Sequence, residues 1–516
     1  MEEYKVLITT SGIGSRLGNL TLFTNKCLVR VGKKPAISYI VEKYPDNIEV
    51  VVTLGHYGEQ VRDFLELAYP KKKFTFVEVD KFDGEGSSLG YSLLKAKERL
   101  QCPFIFHASD TIVFENIPDP NANWVAYSLT ENPSEFRTIE LNSKLKIYEK
   151  GEIFSNAAYI GLSGINDYIS FWESLESEYK SNNTKNLSDC HAINRIITQD
   201  WKSLEFKTWL DIGNVSSLRK SRSIIEDKFH ILDKNDESIF IFDDFVIKFF
   251  YDKKVCQNRI KRTEHLKSLV PNIIGYKSNF FKYEYAKGET LSSVINENIF
   301  KSLLEWSIKN LWINEKESDE FLIKCNDFYF TKTIERINKF FKQNNTEDTE
   351  NTINGFKVPC IMDLIKDIDK NDLLTNKSYG FHGDYIIDNI IFDGDKFKLI
   401  DWRQDFGGDL ENGDIYYDLS KLNHNLLFNH DIVNSGHYTI EIKNNEVKCD
   451  ILRSDNLSNC REILHEFILK NNFNLKKVKI LTSLIWINMA PLHEPKIGNF
   501  LFYFGKLNLY KTIYNK

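Results

Sequence analysis

The stretch SGIGSRLGNLTLFTNK (Ser11–Lys26) decides how the front of the chain is read, because it follows directly on the apolar run YKVLITT. A β-rich run that breaks into Gly-x-Gly lets the backbone approach a phosphate, with free N–H groups facing it. Gly12 and Gly14 supply that freedom, and Arg16 and Lys26 add positive charge suited to a triphosphate. The pattern is not a dinucleotide fingerprint. Its third glycine is misplaced, and the second strand ends in VVTLGHYGEQ without the acid that would hold a ribose. Alone, Gly-x-Gly is equally a plain strand–helix turn, so the weight falls on what surrounds it.

Outward from this turn, β-rich runs (YKVLITT, IEVVVTLG, FTFVEVD, PFIFHASD) alternate with helical patterns (AISYIVEKY, GEQVRDFLELAY, GYSLLKAKERL). Strand alternating with helix predicts a mostly parallel, doubly wound α/β sheet, Rossmann-like in class, ending near Ile225. The texture then changes. DESIFIFDDFVIKFFY reads as two strands with a turn at Asp243-Asp244, followed by a helix rich in Lys and Arg and by the strand FFKYEYAKGETL. Helical patterns dominate from Ser292, and short strands return at NIIFDGDKFKLIDW, a hairpin with Asp-Gly at its turn. Strands first and helices after predict an α+β bilobal domain. The expected division is 1–225 and 226–516, with KQNNTEDTENTING as a mobile loop.

Composition narrows the function classes. A chain of 516 residues exceeds what one core serves. With 42% hydrophobic and 27% charged residues it is an ordinary globular mixture, and a net charge of -6 without a long basic run disfavours nucleic acid. Eight scattered cysteines without paired metal spacing read as free thiols in a reducing, cytoplasmic compartment. MEEYKVLITT shows no signal peptide, and no run reaches the roughly 18 apolar residues of a membrane span. FLFYFGKLNLY is read as a C-terminal helix docked on the core. Oligomeric state stays open.

GIGSRL followed by TNKCLVRVGKKPAISYI resembles the signature of the sugar-phosphate nucleotidylyltransferase family, with Asn25 where that family has a proline. Further segments resemble the family in order. DGEGSSLGYSLLKAKE, with Gly86 and Ser87, is similar to its base-contacting segment, and YEKGEIFSNAAYIGL to its acceptor-side segment, with Glu149, Lys150 and Asn156. FIFHASDTI puts Asp110 at a strand end, and WLDIGN supplies Asp211; the resemblance implies that these two carboxylates hold Mg²⁺. The implied reaction is attack of an acceptor phosphate oxygen on the α-phosphorus of an NTP, CTP among the candidates, with pyrophosphate leaving. Arg16 and Lys26 would neutralise the anions. Singly, Asp110 and Asp211 are equally a strand cap and a helix cap.

HGDYIIDN (His382–Asn389) and LIDW resemble the choline kinase and aminoglycoside phosphotransferase family, which shares the protein-kinase-like fold. The resemblance implies that Asp384 orients or deprotonates an acceptor hydroxyl, and that Asn389 and Asp401 hold Mg²⁺ on ATP. His382 is read as loop support. Lys248 sits mid-strand in FVIKFF, and Glu264, the only acid of KKVCQNRIKRTEHLK, is its expected partner in clamping ATP phosphates. Backbone groups from Glu284 to Ala286 would meet adenine. The Gly-rich loop of protein kinases is missing, with LDKNDES in its place, and Asp414 and Asp418 of GDIYYDLSKL read as structural.

A kinase makes a phosphate monoester and a nucleotidylyltransferase consumes one. Together they resemble bacterial bifunctional enzymes that make NDP-activated building blocks for capsule or lipopolysaccharide. Arg403 stands after LIDW where choline kinases carry a glutamate, which favours a sugar or polyol acceptor. Asp405, Asp409 and Glu411 nearby keep open a choline kinase fused to a CTP:phosphocholine cytidylyltransferase. Trp402 is read as core rather than as an aromatic cage. Two further readings stay open, a kinase-like module that binds a nucleotide without catalysis and two unrelated activities joined on one chain.

Overall fold

The computed structural model describes residues 4–141, 145–181, 187–225 and 234–516. The chain forms two compact units. One comprises 1–256 and 274–285, the other 257–273 and 286–516.

The first unit is built on a nine-stranded sheet. Its centre is parallel: Lys5–Thr9 lies between Glu49–Leu54 and Phe104–Ala108, and Phe74–Glu78 continues beyond Glu49–Leu54. Val50, Val51 and Val52 are fully buried, as befits a strand covered on both faces. Beyond Phe104–Ala108 the sheet turns antiparallel through Ala157–Ile165, Thr138–Glu140 and Lys146–Tyr148. The sheet is therefore mixed, parallel where the glycine turn leaves it and antiparallel along the acceptor-side segment.

The same unit carries an antiparallel sheet containing Glu237–Ile241, Phe245–Phe250 and Phe280–Glu284, with the turn at Asp243-Asp244 as expected. It packs on helix Gly58–Ala68. Phe64 is fully buried, its ring 5.3 Å from Phe240 and 6.1 Å from Phe280, and Lys282 Nζ donates to the Leu67 carbonyl at 3.1 Å. The geometric division thus falls elsewhere than the chain boundary expected at 225/226. The reason is a shared aromatic core. Residues 226–233, including Leu232 and Asp233 of LDKNDES, lie outside the described residues.

The second unit is mainly helical. Its largest core joins Leu475–Met489 and Pro495–Tyr514 to Lys332–Asn344, and Phe500, Leu501 and Leu509 are fully buried, so the apolar C-terminal segment is a docked helix. Among the described residues no helix is long and apolar enough to cross a membrane. The segment expected as a mobile loop instead supplies a sheet strand. Asn351–Ile353 pairs with Phe356–Val358 and, in parallel, with Glu446–Ile451. Buried Lys506 anchors it through the Thr349 carbonyl at 2.7 Å and Asn351 Oδ1 at 2.6 Å. The hairpin Ile390–Phe392/Phe397–Leu399 forms as expected.

Candidate active sites

In the first unit, Gly14 has φ 70°, and a Cβ there would lie 2.8 Å from Lys26 Cβ, so glycine lets the turn close over the lysine. A Cβ on Gly12 would meet nothing within 4 Å, which leaves that backbone open to a ligand. Lys26 Nζ forms an ion pair with Asp110 Oδ2. Asp211 is brought to Asp110 by backbone pairing: Leu210–Asp211 is antiparallel to Thr111–Ile112, and Ile212 N donates to the Asp110 carbonyl at 3.1 Å. A Cβ on Gly213 would lie 3.0 Å from Asp211 Oδ1, 3.3 Å from Arg16 Nη2 and 3.4 Å from Asp110 Oδ2. Two carboxylates and a guanidinium therefore converge on one point.

Their ionisation differs. Burial opposes charge on Asp110, but Lys26 and then Arg16 outweigh it and hold the carboxyl below its ordinary value. Burial, then the Asp110 charge, pushes Asp211 up. A small hard cation between the two would favour the charged form of both and offset the repulsion that raises Asp211, and one or two carboxylates completed by substrate phosphates is a usual Mg²⁺ donor set. No group of three or more His, Cys, Asp or Glu suited to a metal occurs among the described residues, so the rest of the shell would come from ligand and water.

Three supports escaped sequence reasoning. Asn25 is fully buried; its Nδ2 donates to the Thr10 carbonyl at 2.8 Å and the His56 carbonyl at 2.5 Å, and its Oδ1 accepts from Cys27 N at 2.9 Å. It ties the glycine turn to the end of the neighbouring strand. Buried His107 bridges Tyr44 OH and the Thr111 carbonyl, each at 2.8 Å, around the Asp110 turn; burial lowers its pKa to about 4, so it is neutral. Gly55 keeps clear a space where a Cβ would come within 2.6 Å of the Ser11 carbonyl and 2.8 Å of Phe82 Cβ.

Gly86 has φ 83°, and Ser87 Oγ donates to the Gly84 carbonyl at 2.7 Å, forming a tight turn before helix Leu89–Ala96. On the acceptor-side segment, Glu149 is paired with Arg137, whose Nε and Nη2 both lie 3.1 Å from Oε2. Lys150 and Asn156 are exposed, and their side chains make no hydrogen bond or ion pair among the described residues.

In the second unit, Asp384, Asn389 and Asp401 come together. Asn389 Nδ2 donates to the Asp384 carbonyl at 3.0 Å and to Oδ2 at 3.2 Å, and Ile400 N donates to the Asn389 carbonyl at 2.9 Å, placing Asp401 beside it. Asp401 takes φ 58° and receives Arg259 Nη1 at 2.5 Å. Asp384 Oδ1 is 2.7 Å from Lys421 Nζ. Burial opposes its charge, but Lys421 holds its carboxyl below the ordinary value. Asn389 and Asp401 offer two oxygen donors suited to a hard cation.

The loop is held by buried ions. Asp418 accepts from His382 N at 2.8 Å, Gly383 N at 2.7 Å and Trp312 Nε1 at 3.2 Å. Fully buried Arg262 donates to the carbonyls of Leu410 (3.0 Å), His382 (3.1 Å), Arg403 (2.5 Å) and Phe381 (2.5 Å). His382 is loop support, as expected: its Nε2 faces the Ile400 carbonyl at 3.0 Å, and Asp384 N donates to its Nδ1 at 3.3 Å.

Lys248 is buried in its strand in the first unit, opposite Ile239 and Phe281. Glu264, expected as its partner, lies in the second unit; it is exposed and makes no ion pair or hydrogen bond among the described residues. Its helix, Lys253–Leu266, instead turns Arg259 and Arg262 inward. Glu284 ends its strand opposite Phe245, and Ala286 opens the second unit's longer segment. Trp402 is buried and donates to the Arg259 carbonyl at 2.8 Å, which makes it core.

No protein-family model matches the chain. Over 115 residues it is 32% identical to a choline-phosphate cytidylyltransferase of Streptococcus pneumoniae, a match covering 22% of this chain and 47% of that protein. Over 151 residues it is 26% identical to the bifunctional protein GlmU of Methanococcus aeolicus, covering 28% of this chain and 35% of that protein. The chain thus spans less than half the length of the curated relatives it matches. A solved CTP:phosphocholine cytidylyltransferase from Streptococcus pneumoniae aligns at TM-score 0.37 and 21% identity, over 43% of this chain and all of that one. The likeness lies with nucleotidyltransferases.

Proposed function

We propose that the chain is a bifunctional enzyme that phosphorylates a small hydroxyl compound with ATP and transfers a nucleotidyl group from an NTP to a phosphorylated compound. The observation that carries the transferase half is the convergence of Arg16, Asp110 and Asp211 beside Gly213. Asp110 and Asp211 would hold Mg²⁺, which when bound neutralises phosphate charge. Arg16 and Lys26 bind the triphosphate from the glycine turn, and Lys26 is released from Asp110 as the anion arrives. The acceptor's phosphate oxygen then displaces pyrophosphate from the α-phosphorus. The likeness to a choline-phosphate cytidylyltransferase makes CTP the first nucleotide to test.

For the phosphotransfer half, Asp384 faces the acceptor hydroxyl as a carboxylate. Its pairing with Lys421 weakens it as a base, so its main role is to orient the hydroxyl toward the γ-phosphorus. Asn389 and Asp401 would hold Mg²⁺ on the ATP phosphates. The product is an activated building block of capsule or lipopolysaccharide type, made in the cytoplasm.

The test is a two-stage assay read by mass spectrometry. The purified chain receives Mg²⁺, ATP and a panel of sugars, polyols, choline and ethanolamine, then CTP, GTP, UTP or dTTP. A phosphorylated acceptor converted to its NDP derivative is the expected result. Pyrophosphate release without any ATP-dependent phosphorylation would overturn the kinase half, and the reverse would overturn the transferase half.

A further inference from the structure

Cations crowd the Asp384 loop. Arg403 Cβ lies 2.6 Å from where a Cβ of Gly383 would stand, and Lys421 holds Asp384 at 2.7 Å. Lys332 Nζ and the Arg403 guanidinium share one ring, 4.4 Å and 5.0 Å from the centroid of Phe328. Phe328 sits in a π-helical turn, Asp327–Thr331, between helices Asp319–Asn326 and Lys332–Asn344. Such turns recur at functional sites. Arg336 follows Lys332 by one helical turn.

These cations lack acids. Among the described residues no carboxylate lies within ion-pair distance of Lys332, Arg336 or Arg403. Of the acids that could favour a cationic acceptor, Asp409 and Glu411 are engaged by lysines and Asp405 by one backbone N–H. Asp409 Oδ1 accepts from Glu411 N and Asn412 N at 3.0 and 2.9 Å, and its Oδ2 lies 3.2 Å from Lys324. Glu411 lies 2.7 Å from Lys316, and Asp405 Oδ1 accepts from Gly408 N at 3.1 Å. His424, one turn beyond Lys421 on helix Ile415–Asn425, is buried with an Nδ1 that has no partner. Unpaired cations partly withdrawn from water are costly unless an anion joins them. Burial, then Arg403, Arg336 and Lys421, against a smaller opposing pull from Asp405, pushes the Lys332 ammonium down to about 7, a shift that a bound anion would reverse.

We infer that the acceptor is anionic: Lys332, Arg336 and Arg403 form a subsite for a carboxylate or phosphate carried by the hydroxyl compound that Asp384 presents for phosphorylation. This rests on the phosphotransfer reading of that loop. It also sets the site against choline, since a quaternary ammonium would face like charges.

The first arm titrates the full chain with inorganic phosphate by calorimetry, under saturating Mg²⁺ and a non-hydrolysable ATP analogue so that the nucleotide's own phosphate sites are filled. Wild type is expected to bind phosphate. Lys332→Met and Arg336→Met should each weaken binding by about tenfold or more, and Lys339→Met, exposed on the same helix, should leave it unchanged. No binding to wild type, binding explained by an adventitious ion only, or binding untouched by the first two substitutions overturns the inference.

The second arm follows ADP release with glycerol, choline, glycerate and glycerol 3-phosphate. A preference of about tenfold in kcat/KM for the anionic members, lost in Lys332→Met and recovered in Lys332→Arg, supports the subsite, and the better of the two names the anion. A preference for choline overturns it. Intact phosphate binding with no ADP release from any acceptor defeats the phosphotransfer reading while the anion subsite stands.

Discussion

The two candidate sites hold a reactive aspartate in different ways. Asp110 is placed by backbone: its turn is fastened to Leu210–Asp211 by strand pairing, and the opposing glycine turn is tied by the amide of Asn25. Asp384 is placed by charge: its loop hangs on buried Asp418 and Arg262, which, apart from the bond from Trp312 Nε1 to Asp418, spend their hydrogen bonds on backbone N–H and carbonyl groups. Strand pairing tolerates change in any one side chain. A loop held by two buried ions fails when either is removed, because the backbone groups it satisfies are left buried without partners.

The largest effect should separate the two chemistries. Asp110→Asn is expected to lower pyrophosphate-releasing turnover by about a thousandfold while ATP-dependent phosphorylation continues, and Asp384→Asn should do the reverse. Parallel assays of both products would break the comparison if either variant lost both activities. Next, Arg262→Met should destabilise the second unit by about 3–5 kcal/mol, read from urea denaturation. A cost below about 1 kcal/mol would mean that the loop is not held by these bonds.

Asn25→Ala should cost less, about 1–3 kcal/mol, and raise KM for the NTP, because strand pairing still carries the site. An unchanged KM would remove Asn25 from the account. The smallest effect is on pH. The Asp110 carboxyl is depressed when folded, so in acid the folded state binds fewer protons than the unfolded one. Its stabilisation is complete above the ordinary aspartate value of 3.8 and is lost as pH falls through the depressed one. Thermal unfolding from pH 7 to 2 should show this slope in wild type and a shallower one in Asp110→Asn.

What was legible in the sequence follows the same line. The glycine turn, the strand-end position of Asp110 and the loop spacing of Asp384, Asn389 and Asp401 are local patterns, and the structure brings their residues together. Asn25 was visible only as a departure from a proline, because two of its three backbone partners, Thr10 and His56, lie 15 and 31 residues away in the chain. Arg262 sits on a helix rich in Lys and Arg, and nothing local marks it as fully buried. The strand Asn351–Ile353 lay hidden in a polar stretch because its partner strand begins at Glu446. Glu264 is exposed for a related reason: being the only acid on a helix does not fix which face it occupies.

The aromatic contact between helix Gly58–Ala68 and the strands around Phe240 and Phe280 bears on how this chain could be taken apart. Cutting after Ile225, where the motifs change character, would remove both rings that cover Phe64 and leave a bare apolar face on the remaining fragment. Such a fragment would be prone to aggregate. A first unit meant for separate expression would have to keep the strands through Glu284, so the point where the motifs change is not the point where the protein can be cut.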